Sequence, residues 1–251
     1  MNFNLKPMKT DLTDITFLIL IRLDSIDRLE NILCVADRLT SYFNTNILIR
    51  EANTHNNLIL QSLLGRHIKY EFVEDRDPVL YKTRHINQMT KYVTTPYISI
   101  WDADIIPDKK AIIDCIEHLR SKEADFSLPY NGICYDIPNS IKYLYFKKKD
   151  IRILHRHKSK MERLYSHPLV GGAVMINREK YIQAGGENEV HYGWGNDDFD
   201  RYFRFIRLGY KVYSVINTPL FHLFHFRGIN SYYQSIFYKK ISKKEIDIIR
   251  I

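Results

Sequence analysis

Apolar positions along this chain fall into two alternating rhythms. The run Ile15-Thr16-Phe17-Leu18-Ile19-Leu20-Ile21 is continuously apolar and rich in β-branched residues, as a strand covered on both faces requires. Behind it Ile26, Leu29, Ile32, Leu33, Ala36 and Leu39 recur at helical spacing, with Asp24 or Ser25 placed to cap the helix. The alternation continues with a strand at Asn46 to Arg50, a short helix at Leu58 to Leu64, a strand at Ile68 to Val73 and a helix at Thr83 to Tyr92. A strand from Thr95, a helix at Lys109 to Arg120 and a short strand at Asp125 to Pro129 follow. Further on come a strand at Gly171 to Ile176, a helix at Arg178 to Ala184, a helix from Asp197 ending at Gly209, and a strand at Lys211 to Val215. Strands alternating with helices predict a doubly wound, mainly parallel sheet, whose ligands sit beyond the carboxyl ends of the strands.

A chain of 251 residues with 45% hydrophobic content supports one sizeable core, so a single domain over residues 1–230 is expected, followed by a basic aromatic tail at 231–251. That tail either packs on the domain or lies on an anionic bilayer. Residues 135–165 turn basic and read as a surface insertion with a helix at Asp150 to Tyr165, or as a flap over the substrate. The net charge of +8 and a pI near 9.2 suggest a phosphate-bearing ligand, nucleic acid or an anionic membrane, without choosing among them. Cys34, Cys115 and Cys134 form no C-x-x-C pattern, which excludes a thiolate zinc motif and fits a reducing compartment. The first apolar run is too short to span a membrane and follows Asp11 and Asp14 rather than a basic leader, so the expected location is cytoplasmic.

The candidate chemistry lies in three places. The strand from Thr95 ends in Asp102-Ala103-Asp104. Acids at i and i+2 share one side of an extended chain, and two ionised carboxylates that close repel unless a cation lies between them; a hard divalent ion such as Mg²⁺ or Mn²⁺ suits them. The segment Gly193-Trp194-Gly195-Asn196-Asp197-Asp198-Phe199-Asp200 sets acids at a helix start, directly after an indole between glycines. Capping accounts for one of these acids, not for all of them. Finally, His222 and His225 stand among aromatics after Pro219; three apart, they face one way only if the chain turns or bends there.

These motifs, in this order, resemble the GT-A glycosyltransferases of the β-1,4-galactosyltransferase and chondroitin-polymerase type, over roughly Phe17 to Gly228. The resemblance implies an α/β, Rossmann-like, mixed and mainly parallel sheet flanked by helices, binding a UDP-sugar. It implies that Asp198 is the catalytic base, with Asp197, Trp194 and Gly195 on the acceptor; Asp197 stands where the family more often has Glu. Asp104, His225 and His222 correspond to metal ligands, and the imidazoles shift the preference toward Mn²⁺ over Mg²⁺. Arg22, Lys82, Arg84, Asp102 and Gly172 correspond to nucleotide-sugar contacts. Transfer would invert the anomeric centre. By analogy with bacterial relatives, the acceptor is a glycan or lipid-linked glycan of a surface polysaccharide, with peripheral membrane contact and no nucleic acid. Two other classes stay open. A nucleic-acid-binding protein would use the basic stretch at 142–160 but leaves the four acids without a role. A divalent-metal nucleotidyltransferase would need a glycine-rich loop after the first strand, and Ile21 to Asp27 contains no glycine.

Overall fold

The apolar run at Ile15 becomes the middle of the molecule. In a computed structural model, which describes residues 8–228 and 231–250, the elements in chain order are β1 (Thr10–Ile21), α1 (Ile26–Tyr42), β2 (Phe43–Asn53), α2 (Ile59–Leu63), β3 (Lys69–Glu74), α3 (Lys82–Thr90), β4 (Tyr97–Asp102), β5 (Ile105–Ile106), α4 (Lys109–Arg120) and β6 (Phe126–Leu128). They continue with β7 (Cys134–Ile137), α5 (Asn139–Lys148), α6 (Arg152–Arg156), β8 (Glu162–Arg163), β9 (Ala173–Asn177), α7 (Arg178–Gln183), α8 (Asp197–Arg207), β10 (Val212–Ser214), β11 (Leu220–Leu223) and α9 (Ile236–Arg250). The expected domain end at 230 and the last tail residue, Ile251, lie outside the described residues.

Seven strands form the main sheet in the order β10-β6-β9-β4-β1-β2-β3. β1 runs parallel to β2 and β4, β2 to β3, and β6 to β10, while β9 is antiparallel to both neighbours. The sheet is therefore mixed and mainly parallel. Ile15, Phe17, Leu18 and Ile19 are fully buried because helices cover both faces of β1, which is why no polar residue alternates with them. The edge of the Phe17 ring meets the face of Trp101, centroids 5.2 Å apart, tying β1 to β4. Ser25, rather than Asp24, caps α1 through its Oγ and the Arg28 amide.

A second sheet of order β5-β11-β7-β8 corrects the reading of the basic region. β7, from that region, is an inner strand of this sheet, hydrogen-bonded to β11 and β8. The expected helix at Asp150 to Tyr165 is cut short: only α6 (Arg152–Arg156) forms, begun by Asp150 accepting from the Arg152 amide at 3.0 Å, and after one tight turn the chain is extended by Met161, a thin apolar stripe giving it little to bury. The longer helix is α5, which buries Ile141, Lys142 and Tyr145. Lys142 is fully buried, its ammonium 2.5 Å from Asp27 and 3.0 Å from the Phe224 carbonyl, so part of the basic stretch is core rather than surface. The tail packs on the domain: α9 lies along α8 with Ser242 and Ile246 buried. Among the described residues, no helix is long and apolar enough to cross a membrane.

Removing the buried ammonium strands the Phe224 carbonyl and the Asp27 carboxylate. Lys142→Ala is expected to lower the unfolding free energy by about 2–3 kcal/mol, whereas exposed Lys147→Ala on the same helix should cost less than about 0.5 kcal/mol. Equal effects in denaturant titrations would show that Lys142 is not a core residue.

Candidate active site

Where β1 and β4 end, a cleft of about 350 Å³ opens. Its walls are the start of α3, the Gly171-Gly172 turn before β9, the 193–199 segment entering α8, and the chain leaving β11. Four acids reach it, Asp102 and Asp104 from the sheet side and Asp197 and Asp198 from α8.

The two acids of the D-x-D do not share a partner. The chain turns at Ala103 and Asp104 instead of continuing extended, so the carboxylates part. Asp104 meets the histidines: its Oδ2 is 3.1 Å from His225 Nε2 and 3.7 Å from His222 Nε2. One ligand atom from each of the three residues lies within 4.8 Å of the other two, and all three residues are buried. The convergence of positions three apart has a local cause. β11 ends at Leu223, whose amide donates to the Asp104 carbonyl at 2.7 Å, and the chain then bends to bring His225 round beside His222. His225 Nδ1 donates to the Phe226 carbonyl at 2.9 Å, which leaves Nε2 as the free lone pair. His222 Nδ1 lies 2.8 Å from Asp136 Oδ1, an outer carboxylate that fixes the ring. Sequence reading missed Asp136; its signal is register, because it pairs with His222 across β7 and β11. Burial pushes the Asp104 carboxyl up, but the two imidazoles more than offset this and hold it below the usual carboxylate range. Two imidazole nitrogens and a buried carboxylate suit a borderline divalent ion.

The other three acids surround one ammonium. Lys82, the first residue of α3, lies 3.3 Å from Asp102 Oδ1, 3.5 Å from Asp197 Oδ2 and 3.7 Å from Asp198 Oδ1. Burial works against its charge, yet Asp102, Asp198 and Asp197 together raise its pKa well above normal. The same field splits the carboxylates. Burial would raise Asp198, but Lys82 and Arg201 bring it below the ordinary value. Asp197 is pushed up to about 6 by burial and by Asp198, against the pull of Lys82. Asp102 is likewise raised, chiefly by burial, with Asp198 and Asp104 adding to it. Arg201, fully buried, is the residue that sequence reading overlooked here. It grips both oxygens of Glu187 at 2.8 Å and donates to Asp198 Oδ1. Its visible signal was only that Arg201 lies one turn beyond Asp198 on α8.

Backbone room is supplied at two glycines. A Cβ at Gly171 would overlap the Asp198 carboxylate, and the Gly171 carbonyl accepts from the Tyr130 hydroxyl at 2.7 Å, so the acid is seated directly on this turn. Gly193 has φ +74°, and a Cβ there would come within 2.5 Å of Val79. Trp194 and Gly195 both line the cleft, the indole edge-on to Tyr233 with centroids 5.1 Å apart. Gly172 lies against Asp102, its carbonyl accepting from the Asp102 amide at 2.7 Å.

Other expected residues fall elsewhere. Asp200 is not in the cleft: it is fully buried, paired with His191 at 2.9 Å and with Arg204, and it braces α8. Arg22 does not line the cleft either. Its guanidinium is spent on Asp75 at 2.8 Å and on the carbonyls of Ala52, Asp77 and Pro78, so it holds the loop before α3. Arg84 is exposed and also outside. The cations that do line the cleft are Lys82, Arg28 from the first turn of α1, and Arg227, two residues past His225.

Asp197 gives a pH-dependent test. A folded-state pKa raised to about 6 from 3.8 contributes stability below pH 4 that is lost as pH rises through 6. Asp197→Asn is therefore expected to gain about 2–3 kcal/mol on the wild type between pH 4 and pH 8 in denaturant titrations. A difference that stays flat over that range would show an unshifted carboxyl.

Residues 152–227 match the family described as the N-terminal domain of galactosyltransferase. No curated protein matches the chain in sequence. Among solved structures, a mannosyltransferase from Pyrobaculum calidifontis in complex with GDP-Man and Mn²⁺ superposes with a TM-score of 0.54 at 15% identity, over 89% of this chain and 59% of that one. GalNAc-T7 with UDP, GalNAc and Mn²⁺ superposes with a TM-score of 0.61 at 13% identity, over 97% of this chain and 48% of that one. The chain thus spans about half the length of these structures. The architecture is that of the GT-A glycosyltransferases, and the segment bearing Asp198, His222 and His225 matches the galactosyltransferase family.

Proposed function

We propose that the chain is a metal-dependent, inverting glycosyltransferase that moves a hexose or N-acetylhexosamine of galactose type from a UDP-sugar to a glycan acceptor. One observation carries this reading: a buried Asp104-His222-His225 group and Asp198 line one cleft, with the Lys82 ammonium 3.7 Å from Asp198 and 3.3 Å from Asp102. Transfer needs a leaving diphosphate neutralised and an acceptor hydroxyl deprotonated, and those are the two things this arrangement offers.

Mn²⁺, or Mg²⁺, bound by Asp104, His222 and His225, would supply Lewis-acid stabilisation of the diphosphate. Lys82, Arg28 and Arg227, which also line the cleft, add fixed positive charge. Asp102 would hold the nucleotide-sugar, and Gly172 would let the donor approach the strand end. Trp194 offers a face to the acceptor ring, and Asp197 binds its hydroxyls. Asp198, kept ionised by Arg201 and Lys82 and seated on Gly171, takes the hydroxyl proton as the oxygen attacks C1 from the side away from UDP. A single displacement of this kind inverts the anomeric centre.

The setting that fits is bacterial surface polysaccharide synthesis on a glycan or lipid-linked glycan, with the protein cytoplasmic and peripheral at the inner face of the membrane. Exposed Ile236 and Phe237 beside exposed Lys239 and Lys240 on the first turns of α9 favour contact with an anionic bilayer. The nucleic-acid alternative loses support because Lys142 is buried, and because it leaves the acids of the cleft without a role.

Two measurements test the reading. Mn²⁺ titration followed by electron paramagnetic resonance should give saturable binding in the wild type, weakened at least about tenfold in His225→Ala and His222→Ala; indifference to both changes would rule out this ligand set. In UDP release from a panel of UDP-sugars, Asp198→Asn should lower kcat by about a hundredfold to ten-thousandfold with donor KM nearly unchanged. EDTA should abolish turnover. A fully active Asp198→Asn enzyme would remove the proposed base.

A further inference from the structure

A second hollow, of about 530 Å³, opens from the acceptor side of the cleft. Val170, Phe199 and Tyr202 form its floor with Ile246 of α9, and Lys243 and Asp247 stand at its rim. It is continuous with the cleft, since His167, Val170, Asn196 and Phe199 line both, and His167 adds an imidazole to the polar lining. Phe199 directly follows the acid Asp198, so whatever leaves the cleft past the base runs onto this ring. The α9 wall is not a loose neighbour. Ser242 Oγ accepts from the Asn196 amide at 3.2 Å and lies 2.9 Å from His191 Nδ1, and the Glu245 carboxylate accepts from Asn188 at 3.1 Å.

The lining chooses among occupants. A phosphate would want cations without a carboxylate, and Asp247 stands one turn from Lys243. A lipid chain would want an apolar rim, and the rim carries both signs of charge with Asn196 beside them. A sugar ring has an apolar C–H face and an edge of hydroxyls that donate and accept, which matches an aromatic floor with a mixed polar rim. We propose that this groove is an acceptor subsite for the second sugar of an oligosaccharide, the residue attached to the one that receives the transferred sugar. The inference rests on the proposed transferase function and assigns the second sugar of its glycan acceptor to this groove of α8 and α9.

The test compares glucose, galactose and N-acetylglucosamine with cellobiose, lactose and chitobiose, which carry the same sugars at the non-reducing end, as acceptors with the active UDP-sugar and Mn²⁺. The accepted disaccharide should have a KM about threefold to tenfold below that of its monosaccharide, the factor expected for one ring stacked on an aromatic floor. Lys243→Ala and Tyr202→Leu should erase that advantage while leaving monosaccharide KM and kcat unchanged. Tyr202 also packs edge-on against Phe126, centroids 6.0 Å apart, so its melting temperature is checked; exposed Lys243 keeps the test open if Tyr202→Leu unfolds. Equal KM values for both acceptor lengths, variants that weaken both alike, or donor hydrolysis without transfer to any of the six sugars would each overturn the subsite. Absence of any UDP release, hydrolysis included, would instead overturn the transferase reading.

Discussion

Charge balance in a half-enclosed space is the constraint on which this molecule depends. Asp102, Asp104, Asp197 and Asp198 are brought to one cleft, and carboxylates at such separations repel unless compensated. Lys82 compensates three of them at once, and Arg201, anchored by Glu187, holds the fourth contact of the set from behind. Asp104 alone turns to the histidines. The result is unequal acids: Asp198 ionises readily while Asp197 retains its proton to higher pH, although the two are adjacent in sequence. Pushing the pKa values of neighbouring groups apart gives each a different chemical task.

The fold supplies these groups from elements that the sheet order brings together. β4 delivers the D-x-D beside the end of β1, α3 begins with its lysine at that same edge, and the antiparallel β9 starts from the glycine turn on which Asp198 rests. The second sheet then carries His222 against Asp136 and brings it beside Asp104 and His225. The cleft is thus assembled from both sheets and from the start of α8.

The main sheet was legible because its strands are continuous apolar runs and its helices carry clear stripes; β1, α1, β4 and α4 lie close to where periodicity puts them. The Asp104-His222-His225 group was legible for a different reason, since an acidic pair and two histidines three apart sit at or just beyond strand ends. What could not be read is whatever depends on pairing between distant short segments. β7 has four residues, and only its register with β11 makes Asp136 a partner of His222. Arg201 looked like an ordinary surface residue of an amphipathic helix until packing buried it against Glu187. Arg22 shows the converse: a basic residue at the end of the first strand matches a ligand contact by position, yet nearby carbonyls and Asp75 occupy it.

The link from Ser242 to Asn196 and His191 bears on the order in which the molecule can be made. The wall of the cleft before α8 is fastened by residues some fifty positions later in the chain, through a hydroxyl and a carboxylate on α9. During synthesis the strands from β1 to β4 can settle as they emerge from the ribosome. The segment that carries Trp194 and Asp198 stays without its fastening until α9 follows it out. This wall of the cleft therefore closes late in translation.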